Sequence, residues 1–153
     1  MRARCVFTVL LLCSVLRATA GATTVVSLSN EALAINADLI VIGRCVGLQS
    51  VWEGRTLVTV ATIVVGETLK GDGGSTVTVA LPGGIDANRR FPVAMTYAGA
   101  PQIHISENVF LFLRHDPGIV SGLTVMGFSQ GKFSIVADAG GAPAVSRDLT
   151  QVT

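Results

Sequence analysis

Apolar residues along this chain fall into short alternating runs, and the longest such pattern spans Ala37 to Gly71 (ADLIVIGRCVGLQSVWEGRTLVTVATIVVGETLKG). Two Val-, Ile- and Leu-rich runs flank a polar break that carries Trp52, the only tryptophan. This predicts a long β-hairpin at the centre of an all-β domain. In the first run Ile40, Ile42, Val46 and Leu48 point one way, and Leu39, Val41, Gly43, Cys45 and Gly47 the other. Both faces are apolar at the start, so that end should be covered on both sides. Gly43 and Gly47 predict a bend or bulge. The second run, Arg55 to Leu69, sets Leu57, Ala61, Ile63, Val65 and Leu69 on one face and Val58, Val60 and Val64 among threonines on the other.

Upstream, a short helix is expected from Leu28 to Asn36, with Ser27 or Ser29 near its start and Glu31 in its first turn, where a carboxylate favours the helix dipole. Leu28, Ala32 and Ile35 would form its apolar face. Downstream, Lys70 to Ser75 is turn chemistry, and Val77, Val79 and Leu81 alternate with Thr76, Thr78 and Ala80 in a third strand. Ile85 to Asn108 has no clean period and reads as a long excursion with one edge strand. Val109 to Arg114 is a strand with Phe110 and Phe112 on one face. Leu123–Phe128 and Lys132–Val136 read as a closing hairpin around Ser129-Gln130-Gly131, and residues 139–153 as a loosely ordered tail.

The first twenty residues change how the composition is read. Arg2 and Arg4 precede the apolar run Cys5–Leu16 and the small-x-small sequence Ala18-Thr19-Ala20. That is the pattern of a secretory signal peptide over 1–20, and its run is shorter than the roughly 20 residues of a membrane span. Residues 21–26 then form a flexible lead-in to a domain over 27–138. The processed chain is expected in the periplasm or the extracellular space, without a membrane anchor. It keeps eight basic against ten acidic residues, a formal net charge of −2, which offers no footprint for nucleic acid or anionic lipid. Cys45 is then the sole cysteine, read as a small buried hydrophobe on a strand rather than a reactive thiol.

One helix, a long hairpin, a third strand, an excursion and further strands suit a five- or six-stranded antiparallel OB-like barrel. Glu31–Arg44 (EALAINADLIVIGR), Leu69-Lys70-Gly71 and Glu107–Leu113 (ENVFLFL) carry a resemblance to bacterial exported proteins with the netrin-like, tissue-inhibitor-of-metalloproteinase-like OB fold. The likeness covers Ser27 to Val136 and rests on structural positions. It implies the fold and a protease-associated role, as inhibitor or accessory domain. The sequence departs from the inhibitors at the amino terminus: cleavage would expose Gly21-Ala22, not a disulfide-bonded cysteine, so zinc capping does not carry over.

No nucleophile elbow, phosphate loop or paired-carboxylate motif is present. His104 and His115, the only histidines, match no metal-ligand spacing although Glu107 and Asp116 lie near them in sequence. The expectation is a non-enzymatic module without cofactor that binds an extracellular or periplasmic protein, a protease among the candidates, through loops Gln49–Gly54 and Pro82–Gln102. Trp52, Arg89, Arg90 and Tyr97 are its candidate contact residues. An enzyme with an unrecognised site is the remaining class.

Overall fold

The computed structural model describes residues 27–119, 122–137 and 140–147. The residues read as a signal peptide (1–20) and as a lead-in (21–26), and the last six of the stretch read as a tail, lie outside them. Helix α1 (Asn30–Asn36) is followed by β1 (Leu39–Glu53), β2 (Thr56–Lys70), β3 (Thr76–Pro82), β4 (Gly84–Asp86), β5 (Val93–Met95), β6 (Asn108–His115) and β7 (Leu123–Val125). A 3-10 turn (Phe128–Gly131), β8 (Lys132–Ala137) and β9 (Pro143–Ser146) follow as the last elements among the described residues. Among the described residues no helix is long and apolar enough to cross a membrane.

β1 and β2 form the expected hairpin, paired from Ile40–Lys70 to Glu53–Thr56. The register slips between Ile42 and Gly43 and again between Cys45 and Gly47, so the glycines mark bulges, which bend a strand and steepen its twist. The first half of β1 also pairs with β6, from Leu39–Leu113 to Arg44–Asn108. β2 pairs with β3, β6 with β7, and β3 meets β7 through the single parallel pair Ala80–Thr124. The fold is therefore mostly β with one short helix, built on a seven-stranded mixed sheet and a separate β4–β5 ribbon.

That count differs from five or six antiparallel strands for a definite reason. β7 and β8 do not form a hairpin with each other. β7 pairs with His115–Leu113 and β8 with Leu111–Val109, so the two lie end to end along one edge of β6. They are one strand interrupted by the 3-10 turn, because β6 offers more pairing than a short hairpin could supply for itself. β9 then pairs with β8, which takes Pro143–Ser146 into the sheet within the stretch read as a loose tail. The excursion contains two short paired strands, β4 and β5, rather than one edge strand.

Alternation explains the main core. Leu39, Val41 and Cys45 of β1, Ala61 and Ile63 of β2, Val77, Val79 and Leu81 of β3, and Val109, Leu111 and Leu113 of β6 all bury one face of their strands together. Each fully buried aliphatic side chain is worth about 1.5–3 kcal/mol. The opposite face of the β1–β6 pair is apolar as well, and α1 covers it: Leu33, Ala37, Ile40 and Phe112 are buried there. Phe110 and Phe133 pack beside them, with the Phe110 and Phe112 rings 4.8 Å apart.

Ser29 caps α1, its hydroxyl accepting from the Ala32 amide at 3.1 Å. Leu33 is the helix's buried residue, whereas Ile35, expected on the inner face, is 75% exposed. A helix of two turns has one inward position over Ile40 and Phe112, and Leu33 takes it. The Lys70 ammonium donates to the Ala34 and Ile35 carbonyls, both at 2.9 Å, and so closes the helix C-terminus. Gly71 follows with φ +77°, and a Cβ there would stand 2.5 Å from the Asp38 carbonyl oxygen. The Leu-Lys-Gly sequence thus ties the end of β2 to the helix and to the start of β1.

Candidate binding groove

At the far end of the hairpin the strands do not close over the core. β3 and β7 share only the Ala80–Thr124 pair, and beyond it the surface opens into a groove of about 870 Å³. Val58, Ala80 and Val125 form an apolar floor, each less than a tenth exposed. The walls come from the hairpin tip (Trp52–Gly54), from Tyr97 and Pro101 of the excursion, from the β6–β7 turn (Asp116–Ile119) and from Phe128. Five segments distant in sequence therefore contribute to one concave site.

Trp52 is held in place by two contacts of different kinds, and its two partners are bonded to each other. Its indole N–H donates to Asp86 Oδ2 at 2.7 Å, and Arg89 Nε donates to the same oxygen at 3.1 Å. The Arg89 guanidinium also lies over the Trp52 ring, 4.6 Å from its centroid. Such a cation–π contact contributes about 0.5–1 kcal/mol where exposed. The second Asp86 oxygen accepts from the Asn88 amide and shapes the turn after β4. The Trp52 hydrogen bond is the largest influence on the Asp86 carboxyl; with the Asn88 amide and Arg89 it outweighs burial and holds the group below its ordinary range.

The excursion is stitched to the hairpin beneath it. Ile85 N donates to Ser50 Oγ at 3.1 Å, Thr59 Oγ1 donates to the Gly83 carbonyl at 2.8 Å, and Gly83 N donates to the Leu57 carbonyl at 3.0 Å. Gly83 has φ +91°, and a Cβ would lie 2.6 Å from the Met95 carbonyl oxygen, so this close approach requires glycine. On the other wall Phe128 sits at φ +59°, in the left-handed region, after Gly127 at +63°. A bulky residue held there costs about 1–3 kcal/mol. The Ser129 amide, donating to the Gly99 carbonyl at 3.1 Å, ties this turn to the excursion.

Of the residues singled out from sequence, Trp52 and Tyr97 line the groove, and Arg89 backs Trp52. Arg90 does not join them: its guanidinium lies over Phe91, 5.6 Å from the ring centroid. His104 lies in the turn that leads into β6 and His115 is the last residue of that strand, so the length of β6 stands between them. Among the described residues no three His, Cys, Asp or Glu gather into a metal site. Cys45 is fully buried, and burial pushes its thiol up, away from the reactive thiolate.

Glu107 has a structural task instead of a ligating one. Its Oε1 is 2.5 Å from the buried Lys132 ammonium and accepts from Ser134 Oγ at 2.6 Å, while Oε2 accepts from the His104 amide at 2.8 Å. Burial raises this carboxyl, but the Lys132, Ser134 and His104 donors together outweigh it and hold Glu107 below its ordinary value. The cluster pins the start of β6 to β8 and leaves neither Lys132 nor Ser134 free as base or nucleophile.

Phe128, Val58 and Ile119 were not singled out as site residues in the sequence, and Asp116 was weighed there only as a metal-ligand neighbour of His115. Phe128 ends an apolar run there, and only the left-handed turn after Gly127 brings its ring to the groove. Comparison of the chain with protein-family models, with curated proteins and with solved structures gives no match.

Proposed function

We propose that this chain is an exported binding module of OB-like barrel architecture, which takes an extended apolar segment of another exported protein in the groove. The circuit of pairings supports the architecture: β1 to β2, β3, β7, β6 and back to β1. The signal-peptide pattern of the first twenty residues supports export. One observation carries the binding reading: a concave apolar floor stands beside an aromatic wall whose Trp52 is pre-positioned by Asp86 and Arg89. A rigid anchor loses little conformational entropy on binding, so more of its contact energy appears as affinity. No step of chemistry is assigned to the site.

The test is selection of peptide ligands from a displayed library on the processed chain. Enriched peptides should compete with one another and shift the emission of Trp52. Tyr97→Ala, a change at a half-exposed wall residue, should weaken them by about tenfold while far-ultraviolet dichroism stays unchanged. Ligands indifferent to both Tyr97 and Trp52, or no enrichment at all, would overturn the reading.

A further inference from the structure

β3 stops pairing with β2 at Val58–Pro82, one residue short of Leu57, where the chain turns at Gly83. Leu57 is fully buried, so its backbone groups need partners from elsewhere. The β4–β5 ribbon supplies both. Gly83 N donates to the Leu57 carbonyl at 3.0 Å, and the Leu57 amide donates to Met95 Sδ at 3.3 Å. A thioether is a weak acceptor, and here it receives a buried main-chain donor. Met95 is half-buried and lines a recess of about 330 Å³ between the ribbon and the hairpin, with Ser50, Thr59 and Ile103. Tyr97, two residues further on, lines both that recess and the groove. One sulfur therefore stands between a buried strand, an open recess and a wall of the site.

We infer that Met95 is an oxidation site and that its sulfoxide loosens the Tyr97 wall of the groove. The oxidant is a peroxide. A sulfur lone pair attacks one peroxide oxygen, and the S–O bond forms as the O–O bond breaks. The departing hydroxide takes the proton left on the transferred oxygen and leaves as water, so sulfur loses two electrons and the peroxide gains them. The 3.3 Å between the Leu57 nitrogen and Sδ has no room for an inserted oxygen, so there the ribbon must move off β2. An oxygen pointing into the recess instead leaves a sulfur of partial positive charge facing the N–H, which also ends the bond. β4 must follow β5, because the Met95 carbonyl oxygen packs so closely on Gly83 that a Cβ there would stand 2.6 Å from it. The effect on the groove rests on the peptide-binding reading above; the oxidation site does not.

The test uses the processed chain carrying Met126→Leu, a volume-conserving change that leaves Met95 as the only methionine after residue 20. Hydrogen peroxide should add one oxygen atom to the peptide that contains Met95, read by mass spectrometry. Hydrogen exchange at the Leu57 amide should then become about tenfold faster. Groove ligands selected as above should bind about fivefold weaker by Trp52 emission, and methionine sulfoxide reductase should restore both readings. Resistance of Met95 to peroxide that converts free methionine, or unaltered Leu57 exchange after full conversion, would overturn the oxidation site. Changes that the reductase does not reverse would belong to another side chain and overturn it as well. Faster exchange with unchanged ligand affinity would overturn the link to Tyr97 alone. Faster exchange in a chain for which no peptide enriches would overturn the groove reading and leave the oxidation site standing.

Discussion

The long hairpin passes through two different environments. Over Leu39–Arg44 strand β1 is paired on both edges, by β2 and by β6, and is covered on both faces, by the main core and by α1 with its phenylalanines. Over Val51–Glu53 the same strand pairs with β2 alone, and its side chains border open space. The pairing of β1 with β2 runs from one end to the other, interrupted only by its bulges. What changes is the number of elements that reach each end. Packing from four sides makes the first end a source of stability, whereas the second keeps concave apolar surface among the described residues.

Substitutions should separate the two ends by size of effect. Leu111→Ala, in the fully buried core facing Val41, should destabilise by about 3–4 kcal/mol in urea unfolding with little change in slope. Lys132→Met should cost about 3 kcal/mol, because it strands the Glu107 carboxylate next to β6 without its cation. A loss below about 1 kcal/mol would show that water reaches Glu107 and that the pair is not part of the packed end. Lys70→Met removes two donors from the α1 carbonyls and should cost about 1 kcal/mol while leaving ligand binding at the groove untouched.

Acid should act on the packed end as well. The Glu107 carboxyl titrates below its ordinary value of 4.5 in the folded chain, so its contribution is present in full above that value. It is lost as the pH falls from 4.5 through the folded value, where the folded state must take up the proton that breaks the Lys132 pair. Unfolding free energy should therefore drop with pH in that window, and Glu107→Gln should flatten the slope there. The smallest stability effect belongs to the open end. Trp52→Phe deletes the donor to Asp86 and should cost about 0.5 kcal/mol, yet it should weaken groove ligands far more than any change at the packed end. Equal losses of stability at both ends would dissolve the contrast.

Much of the packed end was legible along the chain. Strict alternation places Val77, Val79 and Leu81, or Val109, Leu111 and Leu113, on one face whatever they pack against, and two-faced hydrophobicity at Leu39–Ile42 announces a cover on both sides. The excursion was not legible, because β4 and β5 are only three residues long each, too short for a period to show. The closing segment misled for another reason. Two apolar runs around Ser-Gln-Gly look like a hairpin, and nothing local records that β6 would pair with both. Of the site, Trp52, Arg89 and Tyr97 stood out as aromatic or charged residues in loops, but Arg90 stood out equally and lies against Phe91.

The order of residues by itself determined the helix, the long hairpin, its bulges and which face of each main strand is apolar, because those follow from side-chain spacing and local backbone sterics. Tertiary structure alone decided that β7 and β8 share one edge of β6, that Lys70 closes the helix, and that Val58, Phe128 and Asp116 join Trp52 around one hollow. Those outcomes depend on which distant segments meet, and a pairing between residues tens of positions apart leaves no mark on the spacing of either partner.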